Sequence, residues 1–132
     1  MKYRILQRDD VVRLLPMPEA IEQMRYAFGQ LSAGRVVMPL RSRVDTDRGD
    51  MHLMPACLGD SEVCVKIVLT YPQNHKHHLP AVQGVLTIFD GATGTPRALL
   101  DCAGLTAIRT GAGGGLAVDL LSAKVRAFDN SL

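Results

Sequence analysis

The chain has few aromatic residues and almost no excess of charge. Its 132 residues include no tryptophan, three tyrosines and three phenylalanines, and the formal net charge is +2. Proteins that bind single-stranded nucleic acids stack bases on aromatic side chains and follow the backbone with clustered basic ones. Lysine and arginine are scattered here. We therefore expect no nucleic-acid partner.

Long apolar runs are also missing. No uninterrupted apolar stretch approaches the roughly 20 residues that a membrane-spanning helix needs. The first four residues, Met1-Lys2-Tyr3-Arg4, are not followed by the apolar segment of a secretory signal. These two observations predict a cytoplasmic protein that makes no contact with a membrane.

Cysteine is scarce, and the histidines lack the spacing of metal ligands. The three cysteines are odd in number, widely separated and set in apolar segments: Cys57, Cys64 and Cys102. This pattern predicts reduced core residues rather than a disulfide framework or a zinc site. Three of the four histidines, His75, His77 and His78, share a segment flanked by Pro and Asn. We interpret them as solvated loop residues, so no metal is expected.

What is present is typical of one globular domain over residues 1–132. The chain is 47% hydrophobic and 21% charged and contains no repeat or low-complexity linker. Pro18 suits the start of a helix, apolar residues then recur at helical spacing, and Gly34 ends the pattern. We predict an amphipathic helix over roughly 18–33.

After Val36 the apolar pattern changes from helical spacing to alternation. It predicts strands near 36–45, 50–57, 62–71, 82–90 and 95–101. In the third strand Val63, Val65, Ile67 and Leu69 share one face, so Lys66 points the other way. Together with the helices, this predicts an α+β fold with an antiparallel or mixed sheet and flanking helices.

The segment after the sheet is unusually rich in glycine. Asp90 to Gly94 has the composition of a tight turn and predicts a hairpin between the last two strands. Helical spacing returns from Leu105, although four glycines occur between Gly111 and Gly115, and each costs about 1 kcal/mol relative to alanine inside a helix. Either the backbone passes close to another element there, or the first turn frays.

Three cations are candidates for one site. Arg41 and Lys66 fall on predicted strands that we expect to be neighbours, and Arg109 falls at the start of the last predicted helix. Arginine can bind a carboxylate through two hydrogen bonds, and a lysine on a strand adds a point charge. This predicts a pocket for a small carboxylate. Spacing alone leaves an alternative open, in which each cation reaches water or pairs with one of the 13 acidic residues.

A series of short motifs covers nearly the whole chain in order. They are Pro39-Leu40-Arg41, His52-Leu53-Met54-Pro55-Ala56, Val65-Lys66-Ile67-Val68, Pro72-Gln73-Asn74, Leu79-Pro80, Gly94-Thr95-Pro96 and Leu105-Thr106-Ala107-Ile108-Arg109-Thr110-Gly111-Ala112. In this order and spacing the chain resembles the ornithine cyclodeaminase and mu-crystallin family.

The resemblance implies an enzyme that uses NAD or NADP and transfers hydride at a carbon bearing nitrogen. Its members include cyclodeaminases, alanine dehydrogenases and reductases of cyclic imines or ketimines, so the implied ligand is a small amino, imino or keto acid. By motif position, Arg41 and Lys66 resemble residues that hold the substrate carboxylate, with Lys66 the catalytic candidate. Arg109 resembles a residue that touches both substrate and cofactor, and Thr110 then lies on the cofactor side.

Two positions depart from the family pattern. Cyclodeaminases have a glutamate that helps to receive the side-chain amine of ornithine, whereas this chain has His52, which we place among the substrate-binding residues. This difference argues against ornithine. A threonine that often reaches the cofactor in relatives is replaced by Ala81.

The resemblance also predicts how this chain relates to its family. In the family a Rossmann domain follows the Arg-Thr-Gly-Ala helix, and no glycine-rich turn with a later acidic residue occurs up to Leu132. We expect this chain to be the substrate-binding and dimerisation domain, a homodimer that does not bind the cofactor tightly and is inactive alone. A non-catalytic carboxylate-binding module and a non-functional fragment are the alternatives.

Overall fold

A mixed sheet of seven strands forms the centre of the described residues. The computed structural model describes the backbone of residues 2–129 and the side chains of residues 2–122. The elements in chain order are β1 (Arg4–Leu6), α1 (Arg8–Leu14), α2 (Met17–Ser32), β2 (Val36–Val37), β3 (Ser42–Thr46), β4 (Gly49–Leu58), β5 (Glu62–Thr70), a 3-10 turn (Pro72–His77), β6 (Val82–Asp90), β7 (Pro96–Asp101) and α3 (Cys102–Asp129). The strand order is β1-β7-β6-β5-β4-β2, and β3 also pairs with β4.

Every strand pair is antiparallel except β1 with β7. The predicted α+β class with a mixed sheet and flanking helices is confirmed. Four of the five predicted strands, the first long helix and the hairpin after Asp90 are confirmed within one or two residues. In the hairpin turn, the Asp90 carboxylate accepts hydrogen bonds from Ala92 and Thr93, which lower the pKa of Asp90.

The prediction of a single strand over 36–45 is wrong. The chain forms β2 and β3 with a break at residues 38–41, where Pro39 has no N–H to donate to a strand partner. The sequence pattern also missed β1 and α1. With three residues β1 is too short to show alternation, and α1 has a single buried residue, Val11, so no apolar stripe marks it.

The two faces of the sheet are very different. Lys66 is paired with Met54 on β4 and Leu86 on β6, and this face lies toward α2 and α3. The opposite face carries the apolar row that begins at Val63, as predicted from alternation. On this face Val63 of β5 is 40% exposed and Val85 of β6 is 38% exposed. The second face is therefore apolar and open to solvent.

Among the described residues, no helix has the length and apolar character needed to cross a membrane.

Glycines allow α2 and α3 to pack closely. A Cβ atom on Gly115 would lie 2.9 Å from Cδ1 of Ile21, and one on Gly111 would lie 3.3 Å from Cε of Met17. Between these contacts, Ala112 is fully buried. Of the two explanations offered for the glycine run, close approach of another element is the one observed here. An ion pair of 2.6 Å between Arg25 and Asp119 also joins the two helices.

Leucine substitutions at two adjacent glycines test this packing. At Gly115 a side chain collides with Ile21, whereas at Gly114 a new Cβ meets nothing within 4 Å. We expect Gly115→Leu to lower the free energy of unfolding by about 1–3 kcal/mol. The matched control, Gly114→Leu, should raise it by up to about 1 kcal/mol because leucine favours helix. Urea unfolding measures both, and equal effects of the two variants would contradict the packing.

Candidate active site

A cavity of about 470 Å³ lies between the first three turns of α3 and the sheet. The sheet contributes Met54, Lys66 and Val68, and one face of the helix contributes Cys102, Thr106 and Thr110. The helical residues are spaced by four, which places them one above another on the same side of α3. The wall of the cavity is mostly apolar and also includes Lys66, Gln83 and the two threonines.

Within the described part of the chain, Lys66 is the one charged side chain that lines this cavity. Among the described residues it has no ion-pair partner within 4.0 Å. Cys102 and Ala103, in the first turn of α3, also line the cavity, and the start of a helix carries partial positive charge from its free N–H groups. Both features favour an anionic ligand group such as a carboxylate.

The position of α3 is fixed at its start by Asp101. Its Oδ1 accepts a hydrogen bond of 2.9 Å from the backbone N–H of Gly104, which is the usual contact of an N-cap side chain. The helix consequently begins three residues before Leu105, where the apolar pattern starts. Arg109 thus lies two turns inside α3, and the prediction that it opens the helix is wrong.

The predicted site residues are not all in one cavity. Thr110 lines the same cavity as Lys66. Arg109 instead lines, with Leu105 and Met24, a separate groove of about 450 Å³ between α2 and the edge of the sheet. Successive residues of an α-helix point about 100° apart, so adjacent residues 109 and 110 serve different sides of α3.

Arg41 does not line the Lys66 cavity. It is exposed in the break between β2 and β3, and β4 separates β3 from β5. The prediction that Arg41 and Lys66 lie on neighbouring strands is therefore wrong. The pairing of β3 with β4 begins at Ser42, opposite Leu53, so Arg41 precedes the paired residues.

His52 does not line the Lys66 cavity, although it lies on β4 opposite a residue of the cavity wall. It is paired with Val68, and its side chain is 21% exposed. Its Nε2 is 3.3 Å from Oδ1 of Asp50, and Oδ2 of Asp50 is 3.2 Å from Nη2 of Arg43. Arg43, Asp50 and His52 thus form a continuous polar cluster on the Lys66 face.

Three residues of this region were missed from the sequence. Arg43 and Asp50 had a signal, because each shares a sheet face with His52 through strand alternation and pairing. Thr106 lies four residues before Thr110 and therefore on the same side of the helix. These positional relations could have identified all three once Lys66 and His52 had been chosen.

The cysteines are free thiols. Cys102 is buried at the cavity wall, and its Sγ is 3.4 Å from Oγ1 of Thr106. Cys57 and Cys64 are half-buried, and burial raises the pKa of Cys64. In the described part of the chain, no group of three or more His, Cys, Asp or Glu side chains is placed to hold a metal ion.

Comparisons with known proteins agree on one family. The sequence profile of the ornithine cyclodeaminase/mu-crystallin family matches residues 1–127. An alanine dehydrogenase from Archaeoglobus fulgidus is 33% identical over 124 residues, which cover 94% of this chain and 38% of that protein. The chain therefore spans little more than a third of the length of this relative.

Solved structures give the same result. An archaeal alanine dehydrogenase dimer with bound NAD is 33% identical with a TM-score of 0.84, and the match covers 89% of this chain and 37% of that one. The Delta(1)-pyrroline-2-carboxylate reductase of Thermococcus litoralis, in complex with NADH and L-proline, is 38% identical with a TM-score of 0.81, and the match covers 87% and 36%.

The cap of α3 provides a test of the cavity's architecture. We expect Asp101→Ala to lower the free energy of unfolding by about 1 kcal/mol, because the N–H of Gly104 loses its acceptor. Asp101→Asn keeps an oxygen at that position and serves as the control, with a smaller loss. Denaturant unfolding compares them, and an alanine variant as stable as the asparagine variant would show that the cap does not hold α3.

Proposed function

The chain belongs to the ornithine cyclodeaminase/mu-crystallin family, and from this premise we propose that it supplies the substrate-binding half of an NAD(P)-dependent enzyme of amino or imino acids. The proposal includes a single substrate-binding and dimerisation domain over residues 1–132, located in the cytoplasm, that is inactive alone. The two solved relatives are a dehydrogenase with NAD and a reductase with NADH and L-proline, which supports this class of reaction.

The observation that carries the proposal is the position of Lys66. Among the described residues it is the one charged group at the wall of a mostly apolar cavity, and it lacks an ionic partner there. A carboxylate at its ammonium group would satisfy that charge. We propose that Arg41, which lies just before β3, adds a second cation to the same ligand.

The geometry suits orientation of a small amino or imino acid. A carboxylate held at Lys66 places the adjacent α-carbon inside the cavity, between the sheet and the hydroxyl groups of Thr106 and Thr110. Fixed placement of the reacting carbon is a major part of the rate gain in such reactions. In this proposal Lys66 binds the carboxylate and is the catalytic residue, with His52 beside it.

Thr110 and Arg109 are the residues that we propose face the cofactor. They are adjacent and exposed on α3, and a hydroxyl and a guanidinium are suitable donors to phosphate or ribose oxygens. Bound NAD or NADP supplies the hydride acceptor or donor. Because Arg109 lies outside the Lys66 cavity, we propose that it contacts the cofactor rather than the substrate in this chain.

The open face of the sheet supports a homodimer. Its apolar side chains are partly exposed, including Val63 and Val85 near the middle of the sheet. Exposed apolar patches of this kind mark interaction sites, and one of the solved relatives is a dimer. We propose that a second copy of the chain covers this face.

Ligand-dependent stability tests the Lys66 site. We expect saturating L-alanine or L-proline to raise the thermal unfolding midpoint, because binding to the folded state alone adds about 2.7 kcal/mol at 100 times Kd. Lys66→Met should abolish the shift, since the carboxylate loses its counter-charge. Lys76→Met removes a lysine from the 3-10 turn and should keep it. An unchanged shift in Lys66→Met would refute the site.

Self-association tests the open sheet face. Val85→Glu places a charge on that face, whereas Val118→Glu places the same charge on α3, where Val118 is 68% exposed. Sedimentation equilibrium should show a dimer for the unchanged chain and the Val118→Glu variant, and a monomer for Val85→Glu. A dimer in all three would locate the interface elsewhere.

A further inference from the structure

One edge of β6 has no partner strand beside the Lys66 cavity. Pairing of β6 with β7 begins at Val85, which lies opposite Asp101, whereas pairing of β6 with β5 extends to Val82. On the far side from β5, the chain has already left β7 and entered α3. In the described part of the chain, no strand pairs with this side of residues 82–84, which we call the free edge. All three residues line the cavity.

The hydrogen bonds of the sheet show which main-chain groups lie on the free edge. In an antiparallel ladder, consecutive residues direct their N–H and C=O groups to opposite sides of the strand. The N–H of Tyr71 donates to the C=O of Ala81 at 2.7 Å, just beyond the last paired residues of β5 and β6. Odd-numbered residues of this part of β6, such as Gln83, thus direct their groups to β5. Val82 and Gly84 direct theirs to the free edge.

Two of these groups can act together on one ligand. The C=O of Val82 is an acceptor and the N–H of Gly84 is a donor, and both lie on the same side of the strand. The side-chain hydrogen bonds of the described residues involve neither group. Unpaired main-chain groups of an edge strand are a template for a further chain or ligand.

The glycine at position 84 keeps the free edge uncovered. A Cβ atom there would collide with the carbonyl oxygen of Ile67 and would lie 3.1 Å from Cα of Val68. The two strands therefore approach each other more closely at Gly84 than a side chain permits. Glycine within a strand is typical of a place where another backbone or a ligand comes close. Here it also leaves the amide without a side chain of its own to cover it.

We propose that the free edge binds the main chain of an amino or imino acid. The protonated ligand nitrogen donates to the C=O of Val82, and one carboxylate oxygen accepts from the N–H of Gly84, as a residue of an added strand does. The other carboxylate oxygen stays at the ammonium group of Lys66. Gly84 and Lys66 are diagonal neighbours on β6 and β5, a relation that separates Cα atoms by about 7–8 Å. The lysine side chain and one carboxylate span this distance.

The free edge adds orientation to the proposed site. Lys66 alone fixes the carboxylate and leaves the ligand free to rotate about it. Contacts to Val82 and Gly84 hold the nitrogen as well, so that two substituents of the α-carbon are fixed and the direction of its C–H bond is set. This binding mode rests on the proposed carboxylate site at Lys66.

Amide hydrogen exchange on the ligand-free chain tests the free edge by itself. After correction for intrinsic rates, we expect the N–H of Gly84 to exchange at least about tenfold faster than those of Gln83 and Val85, which are bonded to β5. The two neighbours are internal controls, because they lie on the same strand. Equal protection of the three amides would show that the N–H of Gly84 is already paired and would overturn the proposal.

L-Proline and (S)-tetrahydrofuran-2-carboxylate test the two contacts separately. The ligands share ring size and carboxylate, but the ring oxygen of the second has no proton to donate to Val82. On the chain labelled with 13C and 15N, both ligands should move the amide proton of Gly84 downfield, and L-proline alone should shift the carbonyl carbon of Val82. The oxygen analogue should bind at least about tenfold more weakly, because it lacks one charged hydrogen bond.

The methyl signal of Met54, at the cavity wall, reports occupancy of the cavity independently of the free edge. A response of Met54 to L-proline without shifts at Gly84 and Val82 would overturn the proposal and leave the Lys66 site intact. Equal binding of the two ligands would likewise exclude the contact to Val82 and overturn the proposal. No response of Met54 to either ligand would refute the carboxylate site and, with it, the binding mode.

Discussion

The candidate site depends on how closely α3 packs against the rest of the chain. Asp101 caps the first turn beside the sheet, and Gly111 and Gly115 bring the following turns against α2. Together these contacts fix the position and direction of α3 over the sheet. The side chains at 102, 106 and 110 then face Lys66, and the cavity between them is a consequence of that placement. The glycines lower the intrinsic helix propensity of α3, and the packing that they permit offsets this cost.

Charge is concentrated at few points within this apolar setting. Of the residues that the structure describes, Lys66 is the one that supplies a full charge at the cavity wall, and the adjacent cluster pairs Arg43 with two carboxylates. A charge in weakly polar surroundings interacts strongly with an opposite charge that reaches it. In the proposed site this arrangement favours one position for a ligand carboxylate, beside the ammonium group of Lys66.

The sequence predicted the long strands and the first long helix because each of them has a periodic pattern of apolar residues. Alternation over 62–71 identified the strand and the side of it on which Lys66 lies. Gly34 and Pro18 marked the limits of the first long helix. What alternation could not show was the pairing of β3 with β4 rather than β5, or the break at Pro39, since both depend on strand partners distant in sequence. The start of α3 was misplaced because a cap, unlike an apolar stripe, involves a single side chain.

For the site residues too, the sequence predicted which residues matter better than it predicted where they lie in the fold. Arg41, Lys66 and Arg109 were chosen as cations in a family-like order, and sequence order carries no information on which side of a helix faces which cavity. Arg109 and Thr110 are adjacent in the chain and serve different sides of α3. Asp50 was missed although it lies two residues before His52 on β4 and therefore on the same face of that strand, whereas the contact of Asp50 with Arg43 appears only when β3 and β4 are paired.

A crystal structure of the chain grown with L-proline would show where a small carboxylate binds. We expect density for the ligand in the Lys66 cavity, with its carboxylate within about 3 Å of Nζ of Lys66, the distance of a charged hydrogen bond. A ligand seated instead in the groove beside Arg109, with the Lys66 cavity holding only solvent, would contradict it.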